Sequence, residues 1–224
     1  MTRDEMYAKF VSDLMAKSGV REWENITAID SIVAAAHLLV DGFFEAPDMA
    51  LPDSFKVSSG TAKTIKNSGG DAAITLASLA NGNGTSTGAR QSATLDLGAN
   101  WARRWRLACD FELAATPTAG NAVNLFASWH SATGAGKANT SGTDASYTGY
   151  SNNIDAATKQ LEYLGSHICT SQATSTVQKS FVGVIFPKSR YLNLVVDNRS
   201  GAAFHSADTN QVITLTPLEE TIED

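Results

Sequence analysis

Between Trp105 and Leu113 apolar and polar residues alternate, and no other feature limits the fold as strongly. Trp105, Leu107, Cys109, Phe111 and Leu113 point one way, while Arg104, Arg106, Asp110 and Glu112 point the other. A period of two marks a strand with one face in a core and one in water. Asp110 and Glu112 are therefore expected in a solvated charge ladder with Arg104 and Arg106. Weaker runs of the same kind are Thr61–Lys66, Ala72–Leu79, Gln91–Leu97, Val123–His130, Gln160–Cys169, Val177–Phe186, Tyr191–Asp197 and Val212–Thr216. About nine short strands between Gly/Asn/Ser/Pro clusters predict a mostly-β chain, an antiparallel β-sandwich of jelly-roll type. No stretch between them is long enough for a crossover helix, which argues against a parallel sheet.

Before about Ser54 the period is 3.6. Thr2 to Glu5 fits a capping box, and Met6, Phe10 and Leu14 form a stripe with Val11 beside it, ending at Ser18-Gly19. A second start follows at Thr27, and Pro47 bars continuation. Ile29, Ile32, Val33, Ala36, Leu39, Val40 and Phe43 make its apolar face. That face is broad enough to need cover from the domain behind it or from another protein. The reading is a short two-helix N-terminal segment, 1–50, expected to act in attachment, followed by a β-sandwich domain, 51–224.

With 224 residues the chain has room for one large domain and an appendage. Only 18% of residues are charged and the net charge is −6, with no basic stripe, so a nucleic-acid partner is not expected. The longest apolar run, Ile32 to Val40, is interrupted by His37 and too short to span a membrane. The first residues lack the pattern of a secretory signal, so synthesis in a reducing cytoplasm is expected. Cys109 and Cys169 should then be two buried thiols.

Nothing reads as an active site. His37, His130, His167 and His205 show no metal-ligand spacing, and His205 lies in a turn where a bond to backbone is its expected role. No Gly-x-Ser-x-Gly elbow or phosphate-binding glycine loop occurs. A non-enzymatic chain without cofactor or metal is expected. Two connections are long: Asn81 to Gly88, and Ser131 to Thr158. The second contains Tyr147 and Tyr150, and Trp129-His130 ends the strand that feeds it. Exposed, these aromatics would make a lectin-like site; folded back, the tyrosines would pack the loop itself or seal a subunit contact.

Several segments resemble uncharacterised structural (virion) proteins of tailed bacteriophages and prophages. They are Thr61 to Lys66, Asp71 to Leu76, Arg90 to Ala93, Ala115 to Asn121, Tyr147 to Tyr150, Gly201 to Ser206 and Thr214 to Glu219. The likeness spans about residues 57–224 and carries no catalytic motif. It implies a virion component made and assembled in the bacterial host cytoplasm. The expected station is the tail, as an accessory or fibre-associated protein docking through its helices. A capsid-exterior decoration protein is the close second, and a carbohydrate-binding module for the host surface the third. Expected partners are other virion proteins (tail, fibre or major capsid protein) and copies of the chain itself, with a trimer among the expected states.

Overall fold

The computed structural model describes residues 54–133 and 136–223, together with Glu5, Ala8, Lys9, Ser12 and Asp13. Those five early residues are helical, and Lys9 pairs with Asp13 one turn on at 3.3 Å. The candidate attachment residues Ile29, Ile32, Val33, Ala36, Leu39, Val40 and Phe43 lie outside the described residues. The chain divides into two compact units, Met1–Phe55 with Ile222–Asp224, and Lys56–Thr221. The second unit holds the β core.

In chain order the strands are β1 (Ser54–Ser59), β2 (Lys63–Ile65), β3 (Ala89–Gln91), β4 (Leu95–Asp96), β5 (Arg104–Glu112), β6 (Ala122–His130) and β7 (Ala145–Ser146). A short helix, α1 (Ile154–Thr158), is followed by β8 (Glu162–Ile168), β9 (Val177–Ile185), β10 (Tyr191–Arg199) and β11 (Val212–Glu223). They form two sheets. One is five-stranded in the order β1-β11-β5-β9, with β2 also on β11; the other is six-stranded in the order β7-β3-β10-β6-β8, with β4 also on β10. The registers of β2 to β11 are antiparallel in both sheets.

One apolar cluster joins the two sheets. Leu107, Cys109 and Phe111 of β5 and Ile213 and Leu215 of β11 meet Val123 and Leu125 of β6 and Leu192, Leu194 and Val196 of β10. Phe111 lies edge-on to Phe204 at 5.1 Å and to His167 at 5.3 Å, filling the centre without stacking. Both cysteines are free thiols in this core. Burial pushes Cys109 up to about 12 and Cys169 up to about 11, so neither is a ready nucleophile.

Three departures from the expected strands have local causes. The inward residues of Ala72–Leu79 are buried as alternation predicts, yet the segment makes no ladder. Its amides are divided between backbone and carboxylates: Ala72 N–H and Ile74 N–H donate to the Thr64 and Lys66 carbonyls at 3.3 Å, while Thr75 N–H donates to Asp144 at 3.1 Å and Ala77 N–H to Asp208 at 2.8 Å. The run Gln91–Leu97 is broken at Ser92, whose hydroxyl accepts the Leu194 N–H at 2.9 Å where a strand would offer a carbonyl. Glu112, expected in water, is buried because the 205–211 segment crosses the end of β5. Asn210 donates to its carboxylate at 2.7 Å, and His205 N–H and Gln211 Nε2 both donate to its carbonyl at 2.9 Å.

The two sheets differ on their outer sides. Strand β10 is buried on both faces, because the 131–158 connection folds across the six-stranded sheet. Tyr147, Ile154 and Ala157 there pack on Ala89 and Val195, with Phe126, Tyr150 and Leu161 at the margin. Asp144 pins the connection through Arg90 at 2.7 Å, and Asn153 caps α1 by accepting the Ala156 N–H at 2.9 Å. The Arg199 guanidinium ties α1 to β10 by pairing with Asp155 and with buried Asp197.

Candidate functional site

The four aromatic candidates divide between two places. Tyr147 is wholly buried, and its hydroxyl donates to the Ala138 carbonyl at 2.6 Å. Burial also pushes the phenol up to about 12, so it stays a neutral donor. A ring with no exposed face cannot stack on a sugar. Tyr150 sits on the rim of the same small core and donates to Gln160 at 2.6 Å. Tyr147 is thus part of the loop's own core, while Tyr150 is half-buried at its margin.

Trp129 and His130 lie at the opposite end of the connection, in a groove of 530 Å³ shared with Ser131, Lys137, Lys188 and Ser189. Each wall is held in place. The Trp129 indole N–H donates to Glu162 of β8, and the other oxygen of that carboxylate lies 3.7 Å from the Lys188 ammonium. His130 Nδ1 bonds the Ala132 carbonyl, so Nδ1 carries the proton. Its ring stacks on Tyr191 of β10 at 6.2 Å, across the register pair that joins β6 to β10. Arg190, held on Asp96 by two bonds of 2.7 Å, lies 5.0 Å from the same tyrosine ring. The Lys137 N–H is fixed by Ser128 Oγ at 2.7 Å. Gly136 before it touches Ser128 so closely that a Cβ would come within 2.3 Å of the hydroxyl, so only glycine fits.

A second surface lies along β8 and β9, the edge strands at the same side of the two sheets. Each carries a β-bulge, after Leu107 of β5 on the β9 side and after Leu125 of β6 on the β8 side. The bulges turn Val182 and Leu164 inward against the core. They also meet: a Cβ on Gly165 would come within 2.5 Å of Val182 Cγ1. Beyond the bulge the outward set of β9 continues as Val184 and then Phe186. Phe181, Val184 and Phe186 on one outer face are 61%, 43% and 55% exposed, and Tyr163 and Ile168 on the other are each 57% exposed. On the five-stranded sheet Phe181 borders a shallow groove of 630 Å³ with Arg106, Asp110, Lys179, Thr214 and Thr216.

Sequence reasoning missed this apolar side and both groove lysines. The glycines inside the β8 and β9 runs, Gly165 and Gly183, were the available signal for bulges. Among the described residues no group of three or more His, Cys, Asp or Glu is placed to hold a metal ion, and no helix is long and apolar enough to cross a membrane. No protein-family model matches the sequence, and no curated protein matches it either.

Proposed function

We propose that this chain is a non-enzymatic structural protein of a bacteriophage particle, a tail- or fibre-associated accessory subunit. The observation that carries the proposal is the set of large apolar side chains exposed along β8 and β9. A chain that acts alone does not gain by keeping five such groups in water, whereas a subunit buries them against neighbours. The reading includes docking through the N-terminal segment and association of several copies.

The finer fold belongs to the same reading. Taking the principal strands alone, the sheets run β2-β11-β5-β9 and β3-β10-β6-β8. Numbered one to eight along the chain, that is 1-8-3-6 and 2-7-4-5, the order that two Greek keys produce in a jelly roll. Viral capsid domains and lectins use that architecture, which supports a particle role.

Immunogold labelling of intact particles from a lysate in which the chain is made tests the proposal. Label on the tail is expected; label over the capsid shell would move the protein to the decoration role, and unlabelled particles would end the reading. A chain lacking residues 1–47 is expected to stay off the particle, and its normal incorporation would remove the docking role from that segment.

A further inference from the structure

We propose that the groove at the end of β6 binds an acidic saccharide, with a sugar ring against Trp129 and its anionic group held by Lys137 and Lys188. The inference goes beyond the assembly role and does not depend on it. Three observations carry it.

The groove is partly shaped. Glu162 fixes the Trp129 indole and lies 3.7 Å from the exposed Lys188 ammonium, Tyr191 backs His130, and Ser128 holds the backbone of Lys137. The ring and backbone walls are set before a ligand arrives, and the two lysine side chains are what a ligand would order. Its volume of 530 Å³ falls in the range of small-molecule sites.

The lining is cationic. In a chain of net charge −6, the charged side chains lining this groove are Lys137 and Lys188, two cations against the single carboxylate of Glu162 behind Trp129. The nearest carboxylate, Glu162, already faces Trp129 and Lys188. Lys137 is exposed and makes no ion pair among the described residues, so its ammonium is available to a ligand.

The remaining lining is suited to sugars. Trp129 packs on the core and leaves part of its surface exposed as an apolar platform, Ser131 stands at the rim, and the Ser189 hydroxyl donates to the His130 carbonyl at 2.7 Å, leaving its oxygen as an acceptor. A single-stranded nucleic acid would need a track of cations and several stacking rings. Two lysines and one indole match one charged sugar unit better.

The test is calorimetric titration of the intact chain with 3′-sialyllactose and trigalacturonic acid, against lactose, maltotriose and oligothymidylate. At least one acidic saccharide is expected to bind about tenfold more tightly than the neutral sugars, and less tightly as salt rises. Lys137→Ala with Lys188→Ala should reduce that binding by about tenfold or more, while Lys137→Arg with Lys188→Arg retains it. Both lysines are exposed, so the double variants should melt like the parent. Failure of both acidic saccharides to bind at millimolar concentration would overturn the proposal. So would equal binding of a neutral sugar, tighter binding of oligothymidylate, or affinity unchanged in the double-alanine variant. Particle labelling is measured separately, so either reading can fail without the other.

Discussion

Tyr147 shows how one buried ring can hold down a long connection. Its hydroxyl is bonded to Ala138 and its ring sits among Ile154, Ala157 and Val195. Tyr147→Phe keeps the ring and leaves a buried carbonyl without its donor, at a cost of about 1–3 kcal/mol. Tyr147→Ala also opens a cavity and should cost about 3–5 kcal/mol, read as a lower urea midpoint. His167 sets a second expectation. It is buried beside Phe111, with Nδ1 2.9 Å from Ser180 Oγ, and burial holds its pKa below the ordinary histidine value. The unfolded chain therefore takes up this proton more readily than the native one. The stabilising contribution is complete above the unfolded value of about 6.5 and is lost as pH falls toward the folded value. Denaturation at about pH 7.5 and about pH 5.5 should show the parent losing more stability than His167→Gln over that interval.

The elements differ in how far the sequence announces them. In β5 the alternation runs unbroken from Trp105 to Phe111, and the strand forms as read. In Ala72–Leu79 the same periodicity identified the buried side chains and not the partners, because the backbone bonds to Thr64 and Lys66 give way at Thr75 and Ala77 to the carboxylates of Asp144 and Asp208. Helix α1 spans Ile154–Thr158, too short for a 3.6-residue stripe; only Asn153 as cap and Asp155 in the first turn signal it. The aromatic half of the groove was legible as Trp129-His130. Lys137 and Lys188 were not, since the fold-back of the connection onto Ser128 places one and the turn between β9 and β10 carries the other. At β8 and β9 the glycine signal now has a use. Gly165 has φ +137°, and its added Cβ would strike Val182. Gly165→Ala should therefore cost about 1–3 kcal/mol, measured by thermal or chemical unfolding. Gly183, with nothing near its Cβ, should accept alanine at much smaller cost.

At the scale of the molecule, the two outer sides differ in how far they are covered. The six-stranded sheet is roofed by its own connection, while the five-stranded sheet leaves Phe181 and its groove open. Phe181→Asp with Phe186→Asp changes two exposed groups, so folding should be retained. Association should fall, checked as a shift to smaller species in sedimentation velocity and as reduced incorporation into particles. An unchanged distribution would take those side chains out of the interface. The paired bulges bear on a different hazard. A straight, apolar edge strand invites the same strand of another copy, and such additions continue into ribbons. At β8 and β9 the ladder is broken in both sheets at the point where Gly165 meets Val182. A further copy approaching this side would therefore find side chains where a regular edge would offer an unbroken row of backbone groups.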